Sequence, residues 1–221
     1  MRAPAAVGER WIVFALYFLL LAGGLWHALG WFQTAMRALA GAMLAGIALL
    51  LALDMARRVE DKRRFALWAL LVLAGGFGAE AAGVATGRIF GHYSYSGLLG
   101  PKWLDVPLAI APAWLAIQIS SLAVAQRTLR RETAHRIWLT ALLMVLFDAV
   151  MEPAAVKLGY WTWAGGGVPL RNALAWGLFG LLFSACARIL GLLHTRMSTL
   201  GMHAYAAQMG YFCLALLNIN L

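Results

Sequence analysis

The chain has 221 residues, of which 63% are hydrophobic and only 12% are charged, and its mean hydropathy is +0.77. A soluble domain carries about 25% charged residues, so the composition does not fit a soluble globular protein. The net charge of +9 resembles that of a nucleic-acid-binding protein, but the basic residues cluster at the ends of apolar runs. Since that placement is what membrane topology requires, no nucleic-acid partner is expected.

Seven apolar runs follow one another along the chain, each close to the roughly 20 residues that one membrane crossing needs. Such runs can satisfy their backbone in lipid only as helices or closed barrels, and the period-two alternation of a barrel is absent. The sequence therefore predicts an all-α polytopic integral membrane protein with a single membrane domain over 1–221. The predicted spans are at about 11–31, 36–55, 65–86, 105–126, 136–153, 169–191 and 203–221.

The basic residues are distributed unequally between the two ends of these spans. Of the 18 Lys and Arg residues, 13 fall near the N-terminus or near the connections at 56–64, 127–135 and 188–198. The positive-inside rule predicts that this side is cytoplasmic. The N-terminus is then in the cytoplasm and the C-terminus is outside.

Two stretches of the chain repeat one pattern: a carboxylate, an aromatic pair, a Val-Pro dipeptide and a Trp. The first contains Glu80, Tyr93, Tyr95, Val106, Pro107 and Trp114. The second contains Glu152, Trp161, Trp163, Val168, Pro169 and Trp176. The hairpins at about 65–126 and 136–191 then form a parallel two-helix internal repeat, with both aromatic loops on the non-cytoplasmic side.

Three carboxyl groups lie inside apolar runs. Glu80 is about six residues, or roughly 9 Å, from the outer end of the third run, and Asp148 and Glu152 share one face of the fifth. A charge at such a depth costs about 2.5–3.5 kcal/mol, so these residues are candidate catalytic groups. Because burial disfavours the charged form, such a group can stay protonated and act as an acid. The structural alternative is a pair with Arg88 or Arg171, or a hydrogen bond across helices.

Aromatic faces above a carboxylic acid can hold a transient carbocation by cation–π attraction. The alternative for aromatic residues at helix ends is an interfacial belt. Asn172, one turn after Pro169, could orient a water molecule or a carboxyl group. Pro107 and Pro169 are expected in the first turns of their helices, with Asp105 and Gly167 as N-caps. The candidate substrate-binding residues are Tyr93, Tyr95, Trp114, Trp161, Trp163, Asn172 and Trp176.

The sequence contains no motif typical of a metal, diphosphate, nucleotide or retinal site. The five histidines are scattered without metal-ligand spacing, and His92, beside the aromatic pair, is the one worth testing. No diphosphate-binding DDxxD, GxGxxG or P-loop is present. The last run has no Lys that could form a Schiff base with retinal. Neither a metal nor a cofactor is expected.

Together these motifs resemble the CruF-type membrane carotenoid biosynthesis proteins, the carotenoid hydratases of bacteria and archaea. The resemblance covers about 75–180. It rests on E-x-x-G-x-x-T-G-x-x-F-G-x-Y-x-Y at 80–95, the Val-Pro with its following Trp at 106–114, D-x-x-x-E-P at 148–153, W-x-W at 161–163 and V-P-L-x-N at 168–172.

The resemblance implies a cofactor-independent hydro-lyase, a carotenoid 1′,2′-hydratase or bisanhydrobacterioruberin hydratase in the cytoplasmic membrane of a prokaryote. Its substrate would be a γ-carotene- or lycopene-like molecule taken from the bilayer. Glu80 or Glu152 would protonate the terminal double bond, and Asp148 would take a proton from the attacking water. Other carotenoid biosynthesis enzymes are candidate partners.

Two alternatives stay open. A carotenoid cyclase would use the same protonation and quench the cation by ring closure, so its product would have unchanged mass. A non-catalytic carotenoid- or lipid-binding membrane protein would keep its function when Glu80, Asp148 or Glu152 is replaced.

Overall fold

The computed structural model describes residues 7–129 and 134–217. Seven α-helices occupy these ranges, close to the seven predicted runs, so the helical class is confirmed. Residues 1–6 and the last four residues of the predicted seventh span lie outside the described residues. The helices are α1 Val7–Ala28, α2 Gln33–Arg58, α3 Lys62–Thr86, α4 Ile110–Thr128, α5 Ala134–Lys157, α6 Leu170–Ile189 and α7 Leu200–Leu216.

Five helices, α1, α2, α3, α5 and α6, are long and apolar enough to cross a membrane. The protein is thus an integral membrane protein, and the count of seven spans and the internal repeat stay predictions. Helix α4 lies at the centre of the bundle, packed against α2, α3, α5 and α7. It carries Gln118, Ser120 and Ser121, all fully buried, and Gln118 donates to Ser184 Oγ of α6 at 2.9 Å. Because α4 is surrounded by protein, it can carry these polar groups.

Helix α3 has well-defined ends. Asp61 is its N-cap and accepts hydrogen bonds from the backbone N–H groups of Arg63 and Arg64, both at 3.0 Å. Gly87 ends the helix at φ +65°, and its N–H bonds to the carbonyl of Gly83. A left-handed residue at this position usually has to be glycine. The chain then turns sharply, which brings the following aromatic segment back over the end of α3.

Two small antiparallel ribbons lie in the loops. Strand β1 (Tyr93–Tyr95) pairs with β4 (Trp161–Trp163), and β2 (Lys102–Trp103) pairs with β3 (Val106–Pro107). The β1–β4 ribbon joins the α3–α4 loop to the α5–α6 loop. The two aromatic loops therefore lie together at one end of the bundle.

The expected starts of α4 and α6 need correction. Pro107 is in β3, and α4 begins only at Ile110 after its N-cap Ala109, so the prediction of Asp105 as N-cap was wrong. Leu104 and Asp105 both have positive φ, +50° and +61°, and form the two-residue turn of the β2–β3 ribbon. Positive φ at both positions is typical of tight hairpin turns. Residue 169 is itself the N-cap of α6, in place of Gly167.

Candidate active site

The β1–β4 ribbon places the two aromatic pairs opposite each other. Tyr93 lies opposite Trp163, and Tyr95 lies opposite Trp161. The ring centroids are 4.9 Å apart in the first pair and 5.6 Å apart in the second. Alternate residues of a strand point to the same face, so each strand directs both its rings toward the bundle. This alternation is the structural basis of the Y-x-Y and W-x-W motifs.

Glu80, one and a half turns before the end of α3, is bound by three aromatic side chains. The hydroxyl groups of Tyr93 and Tyr95 donate to Glu80 Oε2, the latter at 2.9 Å. The indole N–H of Trp114 donates to Glu80 Oε1 at 3.1 Å. Both carboxyl oxygens therefore accept hydrogen bonds. This donor set matches an ionised carboxylate, which can only accept.

The position of Trp114 depends on a glycine one turn before Glu80. A Cβ atom built on Gly76 would lie 2.5 Å from Cγ of Trp114, so any side chain there would displace the indole ring. Gly83 likewise makes room for Phe90, whose ring would lie 2.7 Å from an added Cβ. The glycines of α3 thus allow the aromatic rings to approach the helix closely.

Glu152 has a similar arrangement in the second half of the chain. The indole N–H groups of Trp161 and Trp163 both donate to Glu152 Oε2, each at 2.9 Å. The β1 side chains therefore bind Glu80, and the β4 side chains bind Glu152. The ribbon links the two carboxyl groups through their donors.

Asp148 lies one turn before Glu152 on α5. Asn172 Nδ2 donates to Asp148 Oδ2 at 2.6 Å, and Asp148 Oδ1 is buried without a donor among the described residues. Asp148 and Glu152 are four residues apart on α5, so their carboxyl groups are neighbours on one face of the helix. A proton on one of them would let it donate to the other.

Of the two structural alternatives for these carboxyl groups, the pair with Arg88 or Arg171 does not occur in the described part of the chain. Arg171 Nη1 donates instead to the carbonyl oxygen of Gly87 at 3.2 Å. Hydrogen bonds across helices do occur, from α4 to Glu80 of α3 and from α6 to Asp148 of α5. The donors to Glu80, Asp148 and Glu152 are neutral Tyr, Trp and Asn side chains. His92 is exposed and contributes its backbone carbonyl to the ribbon, where it accepts from Ala164 N–H. Among the described residues, no group of three His, Cys, Asp or Glu is arranged to hold a metal ion.

An apolar cavity of about 210 Å³ lies next to the carboxyl groups. Nine of the ten residues singled out from the sequence line it, and Asp148 lies behind Glu152 and Asn172, outside the lining. The nine are Glu80, Tyr93, Tyr95, Trp114, Glu152, Trp161, Trp163, Asn172 and Trp176.

A second set of lining residues was not among the candidate site residues predicted from the sequence. Phe90 and Tyr160 line the cavity from the two loops, and α7 contributes Gln208, Tyr211 and Phe212. Phe90 is part of the F-G motif and could have been found from it. The lining residues of α1 and α2 gave no sequence signal, because an apolar residue that faces a cavity looks like one that faces lipid.

Comparison with known proteins places this arrangement in a family. Residues 35–219 match the family described as carotenoid biosynthesis protein. The chain belongs to this family. The match begins at the start of α2, so α1 precedes it.

One curated relative in this comparison is a bisanhydrobacterioruberin hydratase from Haloarcula japonica. It is 30% identical over 129 residues, which are 55% of this chain and 43% of the relative. The matched region thus spans less than half the length of that relative. No solved structure matches the chain.

Proposed function

We propose that this carotenoid biosynthesis protein is a hydratase that adds water to the terminal double bond of an acyclic carotenoid end group. The observation that carries the proposal is the set of three buried carboxyl groups at one end of an apolar cavity, two of which bind aromatic donors. Addition of water to an isolated alkene needs an acid, a stabilised cation and a base. Each of these can be assigned to a residue of this site.

The acid is assigned to the Asp148–Glu152 pair. Two adjacent carboxyl groups hold one proton between them more readily than they hold two negative charges. Glu152 lines the cavity and Asp148 does not, so Glu152 delivers the proton to the less substituted alkene carbon. Asp148, held by Asn172, acts through Glu152 and is a positioning residue.

The stabilisation of the cation and the role of base are assigned to Glu80 and the aromatic rings near it. Proton addition leaves a tertiary carbocation, which the faces of Trp114, Trp176 and Tyr93 and the negative charge of Glu80 stabilise. Water attacks this carbon, and Glu80 accepts the proton that the water loses. Return of that proton to the Asp148–Glu152 pair restores the enzyme, so the net reaction adds one water molecule.

The size and lining of the cavity support a carotenoid end group as ligand. Its 210 Å³ is below the roughly 300–1,000 Å³ of pockets that enclose whole drug-sized ligands. The end of a long apolar molecule fits this space better than a complete one does. With the N-terminus in the cytoplasm, as proposed from the charge distribution, the ribbons and the carboxyl groups lie toward the outer side of the membrane.

The test is expression of the protein in cells that accumulate lycopene or γ-carotene. The pigments are separated by chromatography and their molecular masses are measured by mass spectrometry. We expect a product heavier by one water, lost in Glu80→Gln and Glu152→Gln at equal protein level. Glu60→Gln, which changes an exposed carboxylate between α2 and α3, is the matched control and keeps the product.

Two other outcomes would overturn the proposal. A product of unchanged mass and altered absorption spectrum would identify a cyclase. Pigment that binds without chemical change, in the wild type and in both variants, would identify a carotenoid-binding protein.

A further inference from the structure

The carboxyl groups form only one part of the cavity wall. It continues away from them to the two N-terminal helices, which the family match covers only in part. The wall there is apolar and carries no charged residue. The lining residues of α1 and α2 are Leu19, Leu20, Gly23, Trp26, Met36, Leu39, Ala40, Met43, Leu44 and Ile47.

The packing of the helices leaves a gap between α1 and α2. Helix α1 packs along α7 and α2 packs along α4, while α1 and α2 touch each other little. Their side-chain contacts include a pair near the connecting turn, where the rings of Trp26 and Phe32 have centroids 5.1 Å apart. Farther along the two helices, the cavity lies between them. Both α1 and α2 are long and apolar enough to cross a membrane, so a gap between them can open toward lipid.

Exposure of the lining residues shows where the cavity reaches the surface. At the carboxyl end, Trp114 and Glu80 are 1% and 5% exposed. At the other end, Leu19 of α1 is 51% exposed and Leu39 of α2 is 59% exposed, although both line the same cavity. The cavity is therefore closed at the carboxyl groups and open sideways between α1 and α2.

We propose that this gap is the entrance through which the substrate reaches the site from the bilayer, and that it holds the polyene during the reaction. The reacting end group occupies the closed end, and the rest of the chain passes between α1 and α2 into the lipid. The identity of the reaction rests on the function proposed above, but the entrance itself rests on the shape and lining of the cavity.

The geometry also sets what the protein recognises. A polyene that leaves through the gap has its far end in lipid, beyond any residue of the site. The protein then binds one end group of the carotenoid at a time, and it accepts carotenoids that differ in structure at the other end. The residues of the entrance support this role, because Met36 and Met43 are flexible side chains that adapt to an apolar ligand.

The experiment blocks the entrance with a bulky side chain. Ala40→Trp fills the cavity side of α2, and Ala45→Trp places the same ring on the exposed, non-lining side of the same helix as the matched control. We expect Ala40→Trp to lower the yield of hydrated product at least tenfold and to lower the pigment that co-purifies in detergent. Ala45→Trp should match the wild type in both.

A second measurement covers the case in which Ala40→Trp does not fold. Leu39 is exposed and tolerates replacement by photoreactive benzoylphenylalanine, with the same replacement at Ala45 as control. Irradiation of the purified protein with bound lycopene should attach pigment at position 39 and not at position 45. Equal attachment at both positions, or full product and pigment binding in a folded Ala40→Trp protein, would overturn the entrance.

Pigment binding separates this proposal from the proposed function. If the wild type binds lycopene without hydrating it, while position 39 crosslinks and Ala40→Trp blocks binding, the entrance stands and the hydratase proposal fails. If hydration occurs but neither variant of α2 affects it or crosslinks, the hydratase proposal stands and the entrance fails.

Discussion

Trp114 and Trp176 stack on each other, with ring centroids 4.2 Å apart and ring planes 17° apart. Each lies seven residues after the Pro of a Val-Pro dipeptide, at 107 to 114 and at 169 to 176. The stack joins α4 to α6 and places one indole N–H against Glu80. Two equivalent positions of the sequence pattern thus meet in one contact. Of these two Trp residues, Trp114 alone donates to a carboxyl group in the described structure.

This difference predicts unequal effects of two matched substitutions. Trp114→Phe keeps an aromatic ring in the stack and removes the donor to Glu80. A hydrogen bond to a charged group contributes about 1.5–3 kcal/mol, so we expect turnover to fall about 10- to 100-fold. Trp176→Phe removes no donor to a carboxyl group and should cause a clearly smaller loss. Product yield per folded protein measures both, and equal losses would contradict the role of the Trp114 N–H.

Two glycines of α3 provide a second matched pair. Gly76→Ala adds a methyl group at 2.5 Å from Trp114, whereas an added Cβ at Gly78 meets nothing within 4 Å. We expect Gly76→Ala to lower both the melting temperature in detergent and the hydratase activity, because Trp114 must move. Gly78→Ala should be neutral or slightly stabilising, since Ala is favoured over Gly in a helix by roughly 0.5–1 kcal/mol. A Gly76→Ala protein with normal activity would show that Trp114 can shift without cost.

Asp148 and Asn172 should behave as one unit. Asp148→Ala and Asn172→Ala each remove the same 2.6 Å contact, because alanine can neither accept nor donate this hydrogen bond. Because Asp148 acts through Glu152 and does not line the cavity, we expect kcat to fall in each variant with little change in KM. The double variant should be hardly worse than the more damaging single one. Additive losses in this double-mutant cycle would mean that the two residues act separately.

Asp61 gives a prediction for pH and stability outside the membrane-spanning segments. Backbone N–H groups of Arg64 and Arg63 hydrogen-bond its carboxylate and lower the pKa of Asp61 below its usual range. The cap therefore stabilises the fold above about pH 3.9, the ordinary aspartate pKa, and this stabilisation is lost as pH falls through the lower folded pKa.

Melting temperatures in detergent at neutral and acidic pH test the cap. Asp61→Ala should melt below the wild type at pH 7, and the difference should shrink in acid. Asp61→Asn keeps a capping side chain without a charge, so it should lose less stability at pH 7. A difference between Asp61→Ala and the wild type that does not depend on pH would contradict the assignment.

The composition and the hydropathy pattern were sufficient to predict the helical membrane class and the approximate positions of all seven helices. The reason is physical: an apolar run in lipid must satisfy its backbone within itself, so length and apolarity determine a helix almost independently of its neighbours. The same cost of burying charge made Glu80, Asp148 and Glu152 stand out within their runs. The aromatic pairs were recognisable because they repeat at matching positions.

Only the tertiary structure decided which groups meet. The pairing of β1 with β4 joins residues far apart in sequence, and it determines that Tyr93 and Tyr95 bind Glu80 while Trp161 and Trp163 bind Glu152. The place of Pro107 in a strand follows from the positive φ angles of the turn before it, which hydropathy does not encode. The cavity wall of α1 and α2 was hidden for a similar reason. Residues that face lipid and residues that face an apolar cavity have the same chemistry, and only the packing of the helices distinguishes them.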